Sequence, residues 1–146
     1  MFRHLFFVLA TLLFISCSNP GEKPQKTLTL SLVSQPGAFQ LIGYTILDKP
    51  FEKSQQQGLY QAQLLDKEGC VLRKISFEKM EVPTSQSESD ERRFFVSVPL
   101  APGLERIDFY RLDGSSGHYT LKDDDPLLSW TLPEEVWEDL QKTDIK

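Results

Sequence analysis

Leu28, Leu30 and Leu32 alternate with Thr27, Thr29 and Ser31. A period of two puts the leucines on one face and the hydroxyls on the other, which is the pattern of a half-buried strand. The same signature returns along the chain. Phe94, Val96 and Val98 alternate, and so do Ile107 and Phe109, with Arg106 and Asp108 on the opposite side. Leu128, Trp130 and Leu132 repeat it once more.

Turn signals separate these runs. Gln35-Pro36-Gly37 breaks the first from residues 39–47, which are apolar on both faces and so read as a central strand. Residues 59–65 and 70–77 flank Asp66-Lys67-Glu68-Gly69 and read as a hairpin, although Arg73 interrupts the face of Val71, Ile75 and Phe77. Residues 81–92 are polar and charged and read as a long, mobile loop. Pro102-Gly103 is a further turn. Residues 113–117 (DGSSG) read as a turn before a short strand around Tyr119 and Leu121. About eight strand-like runs with turns between them predict an antiparallel β-sandwich.

The tail differs. Thr131 and Glu134 have capping-box spacing, and Val136, Trp137 and Leu140 share one helical face. A short helix is expected over residues 133–141. The fold class is therefore mainly β, with a short C-terminal helix.

The N-terminus follows another grammar. Met1-Phe2-Arg3-His4 carries positive charge, residues 5–15 are apolar apart from one Thr, and Ser16 and Cys17 follow. That is the layout of a secretory leader. As a helix the apolar run reaches roughly 16 Å, short of a hydrocarbon core of about 30 Å. The stretch Leu13-Phe14-Ile15-Ser16-Cys17 resembles a bacterial lipobox, with Phe14 where Leu is usual and Leu13 one position earlier. The resemblance implies a diacylglycerol on the Cys17 thiol and cleavage just before it. Two or more acyl chains anchor a protein stably, at about 0.8 kcal/mol per buried methylene. Residues 18–26 (SNPGEKPQK) suit a flexible tether. The expected organisation is a signal peptide over residues 1–16, a tether over 17–26 and a domain over 27–146.

Residues 94–114, after the hairpin at 59–77, look like immunoglobulin-like or fibronectin-like sandwich modules of secreted bacterial proteins. Such modules bind, space or stabilise, and seldom catalyse. The Cys…Trp…Cys core of antibody domains is missing, since both Trp residues lie near the C-terminus.

Charge narrows the partners. Sixteen basic and 21 acidic residues give −5, and removing Arg3 with the leader gives 15 against 21, or −6. Nothing here grips polyphosphate, so nucleic acid is not expected as a partner. The membrane, through the lipid, is one expected partner; a protein or glycan is the other. The expected location is the cell envelope, at the outer membrane or cell surface rather than the inner membrane.

Few residues suggest chemistry. After the leader there is one histidine, His118, near Asp113, Ser115 and Ser116. Triads are built from separate elements in space, and this stretch is no nucleophile elbow, so it reads as a solvated turn. Asp123, Asp124 and Asp125 are candidates for calcium only if the loop curls, because successive side chains of an extended run point apart. The weaker readings are thus a calcium-stabilised adhesion domain or a secreted hydrolase. No cofactor is expected. Phe95 and Tyr110 point away from their strands' apolar faces, as partner-binding candidates or as packing beneath the tail helix. Cys70 reads as a small, at least half-buried hydrophobe in a strand or, without lipid on Cys17, as its disulfide partner.

Overall fold

The computed structural model describes residues 26–52, 58–78, 92–115 and 118–143. Among them are eight strands and one helix: β1 (Thr27–Gln35), β2 (Ala38–Leu47), β3 (Tyr60–Leu65), β4 (Val71–Phe77), β5 (Arg92–Pro99), β6 (Arg106–Ser115), β7 (His118–Leu121), β8 (Leu128–Thr131) and α1 (Glu134–Thr143). The fold is an antiparallel β-sandwich. One sheet has the order β2-β1-β5; in the other, β4-β3-β6-β7, β8 also pairs with β6.

The alternation of the leucines decides which side of β1 is buried. Leu28, Leu30 and Leu32 are fully buried, with Val98, Val96 and Phe94 of β5 directly across. From the second sheet come Ala62, Leu64, Ile107 and Phe109, also buried. Rings knit the two layers together. Phe39 lies 5.0 Å from Phe94 and 6.4 Å from Phe109, both edge-on, and Phe77 stacks 6.3 Å from Phe94. Edge-on and offset rings match positive edges to negative faces, which adds to the gain from apolar burial.

Three expectations need correction. First, β2 is an edge strand, not a central one. A bulge in its pairing with β1 leaves Ile42 outside the register and exposed. The apolar character of β2 has another cause: this edge leans on the second sheet. Phe39 N–H donates to Leu127 O at 2.9 Å, and Tyr44 packs 5.4 Å from Trp130 of β8. Second, residues 113–117 are not simply a turn, because β6 runs on to Ser115 and pairs with β7 from His118. Gly114 makes this possible: its φ is +155°, and a Cβ there would lie 2.0 Å from His118 O. Third, Thr131 is not the helix cap. It ends β8, and the Leu132 N–H bond to Glu105 O (2.9 Å) keeps the chain extended until just before α1. The loop expected over residues 81–92 lies outside the described residues, except for Arg92 at the start of β5.

The β3–β4 hairpin is as the sequence indicated. Asp66 Oδ1 accepts from the backbone N–H of Glu68 (3.0 Å) and of Cys70 (2.8 Å), and Gly69 takes a φ of +80°. The side chain of Asp66 thus replaces a stretch of ladder. Cys70 is half-buried just before β4 and is not a free thiol. Arg73 shares the inner face of edge strand β4 with Ile75, opposite Leu64. Its guanidinium lies 5.4 Å over the Phe51 ring. An inward-pointing charge on an edge strand also discourages pairing with other chains.

Helix α1 closes one end of the sandwich. Val136 is fully buried, and Trp137 and Leu140 pack against the core. Two polar contacts hold it. Tyr44 donates to Glu135 Oε1 at 2.5 Å, and Lys26 Nζ lies 2.8 Å from Asp139 Oδ2 and 3.4 Å from Asp48 Oδ1. The hydrogen bond to Glu135 raises the Tyr44 pKa, and that to Asp139 raises the Lys26 pKa. In both cases the folded state favours the protonated form. Their contribution is therefore complete below the unfolded values of 10.0 and 10.5, and is lost as pH rises through the folded ones.

Two outcomes are expected. Phe94→Ala removes a fully buried ring that faces Phe39 and Phe77, and should cost about 3–5 kcal/mol in a urea melt. Melting temperature should be flat from neutral pH to about 10 and fall above it. The fall should be shallower in a Tyr44→Phe, Lys26→Met double variant, and an equal fall in both proteins would count against the two contacts.

Candidate functional site

The outer face of the second sheet carries a polar cluster that joins three strands. Alternation along β6 turns Ile107 and Phe109 inward and Arg106, Asp108 and Tyr110 outward. Register supplies the neighbours: Asp108 lies opposite Gln63 of β3 on one side and Ser129 of β8 on the other, and Tyr110 lies opposite Gln61.

Asp108 is only 5% exposed although it points away from the core. A carboxylate so enclosed needs partners, since an unpaired buried charge is costly. Ser129 Oγ donates to its Oδ1 at 2.5 Å, and Arg106 Nε lies 3.0 Å from the same oxygen. That Nε is itself buried and not aligned for a hydrogen bond, so it acts on Asp108 through charge. Beside them Gln63 Nε2 donates to Gln61 Oε1 at 2.9 Å. The Tyr110 pKa is pushed up, first by burial and then by the charges of Asp108 and Asp125, with Arg106 opposing. Its phenol thus stays an O–H donor through neutral and mildly alkaline pH.

Asp108 is an acceptor already committed to two neighbours, while Arg106, Gln61 and Tyr110 are only partly buried. A guanidinium, an amide and a phenol thus share one sheet face, and each can make directional hydrogen bonds.

The residues singled out in the sequence are dispersed. Phe95 is 57% exposed on the outer face of the first sheet. Tyr110 lies on the outer face of the other sheet, so the two form no common surface. Neither lies beneath α1, which covers an end of the sandwich rather than a face. Asp123, Asp124 and Asp125 form an excursion at the edge of β6. Leu112 pairs with Leu121 and Phe109 with Leu128, so three steps on β6 face seven on its partner and four residues, 123–126, are extra. The bonds Lys122 N–H to Arg111 O (2.9 Å) and Leu127 N–H to Phe109 O (2.6 Å) pin its two ends. All three carboxylates are exposed, and no group of three or more His, Cys, Asp or Glu able to hold a metal is assembled among the described residues. His118 and Asp113 are exposed in the β6–β7 hairpin. Cys17 and Ser116 lie outside the described residues.

Gln61, Gln63 and Ser129 were not singled out in the sequence. Arg106 and Asp108 were legible as the polar side of β6, but nothing local marks which residues of other strands stand beside them. No family model matches the chain, and neither a curated protein nor a solved structure matches it.

Asp108→Ala removes the acceptor shared by Ser129 and Arg106 and should cost about 1–3 kcal/mol in a denaturant melt. Ser129→Ala should cost less, about 1 kcal/mol, because Arg106 remains. Equal losses would mean that the ion pair adds nothing.

Proposed function

We propose that this chain is an envelope lipoprotein: its leader is cleaved, Cys17 carries the lipid, and the sandwich serves as a binding or structural module rather than a catalyst. The lipobox-like Leu13–Cys17 stretch carries the reading. Its support is the order of charged start, short apolar run and small residue before Cys17, followed by a polar stretch that ends where β1 begins at Thr27. Among the described residues no helix is long and apolar enough to cross a membrane, and a lipid anchor requires none. The non-catalytic part is supported by the side chains themselves. Asp108 is engaged by Ser129 and Arg106, and His118 stands exposed at the start of β7. The immunoglobulin-like resemblance belongs to the same proposal and is supported by the two-sheet antiparallel plan.

The partner-facing chemistry is that of Arg106, Gln61 and Tyr110, suited to a protein or a glycan. The location proposed is the outer membrane or the cell surface.

Two fates compete for the Cys17 sulfur, a thioether to diacylglycerol or a disulfide to the other cysteine of the sequence, Cys70; Cys70 is disulfide-bonded in the structure, so the proposal requires the lipidated protein to lack a bond between the two. Mass spectrometry of the N-terminal peptide from native membranes should show the diacylglycerol, and Cys17→Ala should move the protein from the membrane to the soluble fraction. A bare or disulfide-linked Cys17, or a cleaved Cys17→Ala form that stays membrane-bound, would overturn the proposal.

A further inference from the structure

The lipid reading leaves open which way the sandwich points, and the first residue of the described fold bears on this. Lys26 O accepts from Leu100 N–H at 3.0 Å, just beyond the end of β5. Its Nζ lies 2.8 Å from Asp139 in α1 and 3.4 Å from Asp48, just after β2. The next residue, Thr27, donates from Oγ1 to Lys49 O at 2.9 Å. Three segments thus hold the start of β1 at the end of the sandwich that α1 closes: the chain after β5, α1, and residues 48–49 after β2. The opposite end carries the β1–β2 turn around Pro36 and Gly37 and the β6–β7 hairpin.

Chain length turns this into a polarity. Lys26 lies nine positions after Cys17, with eight residues between them. A chain of nine such steps reaches at most about 30 Å, at full extension. Strand β1 has nine residues, so it covers about 30 Å at 3.3 Å per residue. An anchor at Cys17 readily brings the α1 end to the bilayer. Bringing the far end there would need the tether drawn out to nearly its full length back along the sandwich.

Charge sets how closely that end approaches. Glu134, Glu135 and Glu138 are exposed on α1, and the Asp48 side chain is 87% exposed. The positive charge of Lys26, whose side chain is 16% exposed, is turned inward between Asp48 and Asp139. Such a surface is repelled by anionic headgroups.

We propose that, on the lipid-anchored chain, the end closed by α1 faces the bilayer and is held near it by the tether without docking, so that the Pro36 turn and the β6–β7 hairpin face away. This rests on the lipid reading of Cys17.

Energy transfer from the protein to acceptor lipids in vesicles tests it. The full-length protein is purified from membranes with a fluorophore on an unnatural side chain at position 36 or at position 138, both exposed. Transfer from position 138 should exceed that from position 36 by about twofold or more, given ends about 30 Å apart. Adding anionic phosphatidylserine to a zwitterionic vesicle should leave transfer from position 138 unchanged or lower. Equal transfer from both sites, or more from position 36, overturns the polarity; a rise at position 138 with phosphatidylserine overturns the standoff. A chain without native lipid would show itself by failing to bind vesicles. That would sink the anchor rather than the orientation, which is then measured with a synthetic diacyl chain coupled at position 17.

Discussion

The whole fold depends on burying the leucine face of β1. Leu28, Leu30 and Leu32 lie in the middle strand of their sheet, so they meet β2 and β5 on either side and the second sheet across the core. A single sheet leaves such a face in water. At about 25 cal/mol per Å² of apolar surface, that exposure is large enough to drive the second layer into place. Phe39, Phe77, Phe94 and Phe109 fill the space between the layers, and their edge-on and stacked contacts tie β2 and β4 to β6, and β5 to β2 and β4.

The two sheets are not closed in the same way all round. Along one side the β2 edge meets β8 through a backbone bond and the Tyr44–Trp130 contact. Along the other, β4 and β5 remain edges, and β4 carries Arg73 inward. One end is sealed by α1, whose apolar side supplies Val136 to the core and whose acidic side faces water. These asymmetries matter for function because they leave different surfaces free: a polar sheet face around Asp108, an acidic helical end, and an end made of turns.

Legibility in the sequence followed the range of the interaction. Alternation over five or six residues identified β1, β5, β6 and β8, and Asp66 with Gly69 identified the β3–β4 hairpin, because each is a local event. The central position expected for β2 was wrong for a tertiary reason: an edge strand that packs against another sheet is as apolar as a central one. The extent of β6 was misjudged because a Gly-Ser stretch reads as a turn, whereas Gly114 is there to let the His118 carbonyl come close. The Asp108 cluster joins residues 61, 63, 106, 108, 110 and 129 from three strands, so no local pattern could reveal it.

From the residues alone came the β character, the single C-terminal helix, the leader-like opening and the acidic balance, since all of these depend on composition or on neighbours a few positions apart. Tertiary structure alone decided which strand occupies the middle of each sheet, that Asp108 is enclosed on an outward face, and that Lys26 starts the fold at the α1 end. Those outcomes arise from pairing between strands up to some 70 residues apart, such as Leu28 with Val98. Such pairings follow from filling one shared core, and no stretch of sequence contains that information by itself.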